Sequence, residues 1–411
     1  MHRRPPPAFR EGPFAYHQEV VCQIEDLTNL GAGVSRIDGW VLLVPFTIPG
    51  ETVRARVYRN FDQHSEADLV EVIEPSPNRK EPPCPLFTRC GGCQYQHIDY
   101  QTQLELKQKQ VIDVFQRVGG IQAPVNLTHP SPLEYGYRSK LTPHYQRFRE
   151  EGSNPIGFLA HGQRQRIVDV PTCPIATPEI NQTLASQRSL LLDPKSRKKP
   201  KKAGTLLLRH VAEGVVTDPR QVVTERVGQV VFQFPAGEFF QNNPFILPAF
   251  AEDAVRQAIH PGIHTLVDAY CGSGLFALIA SRSLRQCIGI EVSEASVRWA
   301  QGNAALNRID NVSFFVGDAS EIFARLQCSG DEAAVLIDPP RRGSDSSFLQ
   351  QLLQFGPRRI VYVSCDPATQ ARDLKLLLAS QAPAYQITRI QPFDLFPQTR
   401  HIENIVTLTR S

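Results

Sequence analysis

Four short apolar runs in the C-terminal half end, one after another, on an acid or a thiol, and this constrains the chain more than any other feature. Thr265-Leu266-Val267-Asp268-Ala269 leads into Tyr270-Cys271-Gly272-Ser273-Gly274. About 20 residues on, Cys287-Ile288-Gly289-Ile290 ends in Glu291. Val312–Val316 is followed by Gly317-Asp318, and Ala334-Val335-Leu336-Ile337 by Asp338-Pro339-Pro340-Arg341. A further run, Ile360-Val361-Tyr362-Val363-Ser364, gives way to Cys365-Asp366-Pro367, where proline forbids continuation of the strand. Strands of this kind alternating with helical stretches predict an open α/β sheet. Such a sheet carries its chemistry at the carboxyl ends of its strands.

The first turn reads D-x-x-C-G-x-G and not G-x-G-x-x-G, which favours S-adenosylmethionine over a dinucleotide, because the methionyl group has no pyrophosphate to cradle. Glu291 is placed to hold ribose hydroxyls and Asp318 to receive an adenine amino group. A cysteine beside a methyl donor fits one adenosylmethionine reaction in particular. Carbon-5 of a pyrimidine is a poor nucleophile until a thiolate adds to carbon-6, and a base must later remove the carbon-5 proton. Cys365 is the candidate thiolate. Glu403, in His401-Ile402-Glu403-Asn404, is the candidate base, with a surface charge at a strand start as the alternative reading. An amino-group methyltransferase would place an aromatic residue where Arg341 stands and needs no cysteine. A DNA cytosine-5-methyltransferase would carry a Pro-Cys loop after the Asp-Pro-Pro strand, where this chain has Arg341-Arg342.

Upstream, residues 14–75 hold four or five short alternating strands punctuated by Gly31-Ala32-Gly33, Asp38-Gly39 and Pro49-Gly50, which implies a small closed barrel. The segments Leu30–Arg36 and Val44–Glu51 resemble the TRAM domain, an OB-like RNA-binding barrel. Residues 76–235 form a central domain. There Cys84, Cys90 and Cys93 give C-x5-C-x2-C, and Cys173 offers a fourth ligand for an iron–sulfur cubane. Structural zinc and free thiols are the alternatives. The Gly91-Gly92 pair suits close approach of backbone to a cluster. Tyr100 to Val118 has helical periodicity, with Leu104, Val111, Val114, Phe115 and Val118 on one face and Gly119-Gly120 as its end. This helix is a candidate to pack on the catalytic domain. Arg138 and Lys140 are either phosphate contacts or a solvated strand face. The six basic residues from Lys195 to Lys202 are either a solvated loop or a salt-sensitive RNA contact.

Hydrophobic residues at 41%, charged residues at 21% and a net charge of +3 describe an ordinary globular chain, and that charge is too small to name a partner. No apolar run approaches a membrane span, and the Arg- and Pro-rich start lacks the apolar core of an export signal. With nine cysteines, a cytoplasmic, membrane-free monomer is expected.

Taken together these residues resemble the RNA uridine-5-methyltransferases, the TrmA/RumA family, over nearly everything after residue 13. The resemblance implies a multidomain α/β protein: TRAM barrel, β-rich iron–sulfur domain, and a Rossmann-like class I methyltransferase domain over residues 236–411. It implies Cys365 as nucleophile and Glu403 as base. Gln241, Tyr270, Glu291, Asp318 and Asp338 would bind adenosylmethionine, and Cys84, Cys90, Cys93 and Cys173 would hold a [4Fe-4S] cluster. Asp366 departs from an expected asparagine, and Leu275 from a polar residue. Among family members the cluster-bearing ones act mainly on large-subunit rRNA, so 23S rRNA is the favoured substrate and tRNA the second. A non-catalytic RNA-binding protein on the same fold is a third possibility.

Overall fold

A computed structural model of the chain describes residues 9–146, 154–193, 202–317, 323 and 326–411. Asp318 and five of the six basic residues between Lys195 and Lys202 lie outside them; Lys202 is described.

The C-terminal half builds one seven-stranded sheet. Its strands are β1 (Thr265–Ala269), β2 (Gln286–Glu291), β3 (Val312–Val316), β4 (Ala333–Ile337), β5 (Arg359–Ser364), β6 (Tyr385–Phe393) and β7 (Glu403–Arg410). They lie in the spatial order β3-β2-β1-β4-β5-β7-β6. β1 to β5 are parallel, and β7 inserts antiparallel between β5 and β6. β1 and β4 are buried along their whole length, as expected for central strands covered by helices on both faces. Strand order reverses between β1 and β4, which makes their carboxyl ends the crevice of the fold.

The two faces of the sheet define two apolar cores. One takes in the hairpin Val222–Val227/Val230–Pro235 through Val223, Phe232 and Phe234 together with Val211 and Val216 of the preceding strands, so the hairpin packs both on the catalytic sheet and on the central domain. The other includes Val111, Phe115 and Ile121, which seats the helix that follows the cysteines on the catalytic domain. That helix runs Tyr100–Val114, capped by Asp99 accepting from the Thr102 amide at 3.0 Å. It continues as a π-turn over Phe115–Gly119 and stops at left-handed Gly120. The wider π-turn rotates the chain out of the 3.6-residue phase. Val118, expected on the buried face, is therefore exposed, while Val111 and Phe115 are buried.

In the N-terminal unit, one strand serves both ends of the sheet. Glu19–Gln23 pairs with Thr52–Asn60, and after a break the same segment pairs through Asp26–Leu27 with Ala32–Ile37. Trp40–Pro45 runs parallel to His64–Glu74, and the other neighbours are antiparallel. Sharing the interrupted first strand closes five segments on themselves around Ile24, Leu42, Val44, Val53, Ala55 and Val57.

Long-range polar contacts tie these units to the loop between β6 and β7. Lys107 and Asp394, both fully buried, form a 2.6 Å ion pair. Gln103 donates to Gln398 at 3.0 Å, and the Tyr137 hydroxyl donates to the Pro397 carbonyl at 2.9 Å. Buried groups held by partners nearly 300 positions away give this loop a single geometry.

Candidate active site

Strand register brings Cys365 and Glu403 together. In the antiparallel β5/β7 pair Ser364, the last residue of β5, lies opposite Asn404, which leaves Cys365 just past the end of β5 close enough to Glu403, the first residue of β7, for that carboxyl to act on its thiol. Around them the backbone is over-determined. Gln370 donates to the carbonyls of Tyr362 at 2.9 Å and Asn404 at 3.2 Å, and Asn404 donates back to Gln370 at 2.7 Å. Asp366 caps the helix Pro367–Leu378, accepting from the amides of Ala368 at 2.9 Å and Thr369 at 3.2 Å. One side-chain oxygen does this work, which asparagine also has, so the departure at Asp366 keeps the geometry that aims Cys365.

The electrostatics oppose charge on each reacting group. Burial, then Glu403 and Asp338, push the Cys365 thiol up to about 12, and the Arg341 guanidinium beside it pulls the other way. Glu403 is buried and held well above the ordinary carboxylate range by desolvation, then by repulsion from Asp338, with Arg341 again opposing. Desolvation pushes Asp338 up to about 7. His401 is lowered to about 4 by burial and by Arg341, Arg400, Lys107 and Arg138, and so stays neutral. A site of this kind holds protons on the Cys365 thiol and the Glu403 carboxyl until a positive charge arrives, and Asp338, at about 7, is the acid able to accept a proton near neutrality.

A cleft of ≈ 90 Å³ opens beside the thiol. Cys365, Arg341, Arg400 and His401 line it from the catalytic domain, Gln110 from the helix, and Asn29 and Leu30 from the N-terminal barrel. Sequence reading missed all of these except Cys365 as site residues, because they meet only in the folded chain.

The loop after β1 is shaped for close approach. Tyr270, Gly272 and Gly274 have φ of 67°, 54° and 91°. At Gly274 a Cβ would lie 2.9 Å from the Phe314 ring, so both its conformation and its neighbour require glycine. Glu291, at the end of β2, accepts from the amides of Gly272 at 3.2 Å and Ser293 at 3.0 Å. Tyr270 packs on Phe348 with ring centroids 5.4 Å apart. Leu275, the other departure, packs against the apolar core. Gln241 is partly buried; its neighbour Asn243 donates to Ser131 at 3.1 Å and to the Leu395 carbonyl at 3.0 Å, tying this segment to the β6–β7 loop.

Cys84, Cys90, Cys93 and Cys173 line one cavity of ≈ 300 Å³, with Thr399 and His401 on its wall. Among the described residues no three His, Cys, Asp or Glu side chains are grouped as ligands of one metal ion. The four sulfurs thus share a cavity without a preformed single-ion site. Gly91 has a different reason from the one expected: its amide bonds the Leu159 carbonyl at 2.9 Å, and a Cβ would meet that same oxygen at 3.0 Å. The Arg138/Lys140 pair is also committed internally. Arg138 stacks over Phe396 at 5.9 Å, and Lys140 donates to the carbonyls of Gly237 at 3.0 Å and Glu238 at 3.1 Å.

The tRNA (uracil-5-)-methyltransferase family profile matches residues 219–411. The chain is 41% identical to the tRNA (uracil(54)-C(5))-methyltransferase of Schizosaccharomyces pombe, an alignment covering 98% of this chain and 80% of the relative. It is 32% identical to the Saccharomyces cerevisiae enzyme of the same name, over 97% and 75%. The crystal structure of Pyrococcus abyssi tRNA (uracil-54, C5)-methyltransferase in complex with S-adenosyl-L-homocysteine superposes with a TM-score of 0.73 at 23% identity, covering 95% of this chain and 100% of that one. Relatives at 41% and 32% identity that match along almost the whole chain, with the family profile over its C-terminal part, place the protein among the TrmA/RumA-type RNA (uracil-5-)-methyltransferases, which use S-adenosylmethionine.

Proposed function

We infer that the enzyme methylates carbon-5 of a uridine in tRNA, at the position corresponding to uridine 54, through a covalent adduct with Cys365. One observation carries the chemistry: β5 and β7 end side by side at Ser364 and Asn404, which brings Cys365 and Glu403 into electrostatic contact beside the cleft. The choice of RNA rests on the yeast relatives, both named for tRNA uracil-54. They favour tRNA over the 23S rRNA preference drawn from the cysteine pattern.

The Cys365 sulfur adds to carbon-6 of the uracil, and the electron pair of the 5,6 double bond moves to carbon-5 and its neighbouring carbonyl. Carbon-5 then forms its bond to the methyl group as the donor sulfur takes the electron pair of the broken bond. Glu403 removes the proton left on carbon-5, and those electrons re-form the double bond and expel the Cys365 thiolate. When bound, S-adenosylmethionine supplies the methyl group and a sulfonium charge, which favours the thiolate in a site whose acids oppose it. Tyr270, Glu291 and Gln241 are assigned to hold it, and Asp338 to orient donor or base; Asp318 belongs to the same expectation on the strand order alone.

The shared cavity supports a four-cysteine [4Fe-4S] site with a scaffolding role. A zinc ion would need all its thiolates within about 2.3 Å of one point, whereas a cubane spreads them around a larger body, as this cavity does. Anaerobically purified protein should contain about four iron and four sulfide per chain. Cys173→Ser should lose most of both and the visible absorbance with them, whereas zinc in stoichiometric amount would overturn the cluster. None of the nine cysteines is in a disulfide. No helix among the described residues is long and apolar enough to cross a membrane.

Labelled methyl transfer to unmodified tRNA and to 23S rRNA transcripts, with product mapping by mass spectrometry, tests the reading. 5-Methyluridine in tRNA, lost when the target uridine is changed to cytidine, is expected. Product in rRNA alone would reverse the substrate.

A further inference from the structure

The N-terminal barrel has a part in the cleft that an RNA-gripping module at a distance would not have. Its turn Thr28–Gly31 reaches the thiol: Asn29 and Leu30 line the same cleft as Cys365, Arg341 and His401. Leu30 is an apolar side chain left 60% exposed, at the tip of that turn. An exposed leucine alone means little, since many surfaces carry one. Here the tip is rigid. The Gly31 amide bonds the Thr28 carbonyl at 2.9 Å, and the Ala32 amide donates to the Thr28 hydroxyl at 3.1 Å. Gln110, itself a wall of the cleft, donates to the Thr28 carbonyl at 2.7 Å and to the Tyr95 hydroxyl at 2.8 Å.

Gly31 sits at φ +82°, and a Cβ there would stand 3.0 Å from the Tyr95 ring, so the turn is pressed onto that buried tyrosine. Lys109 bridges Asp26 at 2.8 Å, and Leu27, Ile48, Tyr95, Ile98 and Leu106 form a small apolar core under the turn. The barrel is thus bolted to the helix that packs on the catalytic sheet. The bolt leaves one apolar side chain projecting at the mouth of the cleft that ends at the nucleophile.

A uridine inside a folded RNA must leave its stack to reach a thiol at the bottom of a cleft, which leaves a gap between its neighbours. Proteins that hold such gaps open do so with apolar wedges such as leucine on rigid supports. We propose that Leu30 is that wedge: it occupies the place vacated in the RNA stack while the target uridine lies against Cys365. This rests on the RNA-uridine reading above. Leu30 is a positioning residue; it touches the flanking bases and no reacting atom.

The test compares Leu30→Ala with the wild type on two tRNA transcripts, one intact and one with an abasic site in place of the nucleotide that flanks the target uridine. With the flank missing, the target is already unstacked. Leu30→Ala should lower kcat/KM on intact tRNA by about 10- to 100-fold and be restored to near wild-type rate by the abasic transcript. Leu30→Met should retain activity on both. With 2-aminopurine at the flanking position, wild-type binding should raise its fluorescence and Leu30→Ala should not. Equal loss on both transcripts, or no loss on either, would overturn the wedge while leaving the methylation reading intact. Wild-type protein inactive on both transcripts would instead remove the reading on which the wedge stands.

Discussion

Replacing Cys365 by alanine removes methyl transfer, by ~10⁴-fold or more, while S-adenosylmethionine still binds. The size of the effect follows from what the thiol does: without addition at carbon-6, carbon-5 has no electron pair to offer, and nothing else in the cleft can provide one. Retention of donor binding follows from the fold. The glycine turn after β1 and Glu291 belong to the β1–β2 side of the crevice, and Cys365 to the end of β5. Neither the helix cap at Asp366 nor the Gln370–Asn404 clasp uses the cysteine side chain. Turnover with unmodified RNA and equilibrium binding of labelled donor measure the two separately. Turnover within tenfold of wild type would discard the covalent route, and loss of donor binding would make Cys365 part of the donor pocket instead.

The parallel strands of the C-terminal sheet were legible because their signals are local. Ile360–Ser364 must be a strand and Pro367 must end it; Asp268, Glu291 and Asp338 each close a run of β-formers. The stop at Gly119-Gly120 was readable in the same way. What sequence could not give was whatever depends on residues meeting across the chain. Lys107 and Asp394 are 287 positions apart, and neither has a local pattern. Leu30 was read as part of a barrel motif, and nothing in its neighbours says that its turn ends at Cys365. Arg341 was noted as an oddity of the Asp-Pro-Pro motif and proves to be the cation beside both Cys365 and Glu403.

Val118 failed for a different reason: a π-turn, which has no strong sequence signal, moved it off the buried face. The substrate was drawn from the cysteine cluster, which lines another cavity. His401 is the one residue that lines both cavities.

Glu403→Gln should stop the reaction after methyl transfer and leave RNA covalently attached to the protein. The glutamine keeps the size of the side chain and its place at the start of β7, so addition of Cys365 and attack on the methyl group can still occur. It cannot accept the carbon-5 proton, and until that proton leaves, the carbon–sulfur bond to Cys365 cannot break. A band that survives denaturing electrophoresis, carries label from the methyl donor and disappears with nuclease is the expected result; Cys365→Ala in the same chain should abolish it. The wild type should show far less of it at steady state.

The substitution also removes a neighbour that, when ionised, raises the Cys365 thiol, so adduct formation itself should be no slower than in wild type. An unlabelled adduct would place the block before methyl transfer and make Glu403 the group that helps form the thiolate. Absence of any adduct, with turnover preserved, would pass the role of base to the other carboxyl of the site, Asp338, which burial brings to about 7 and therefore within reach of the proton at neutral pH.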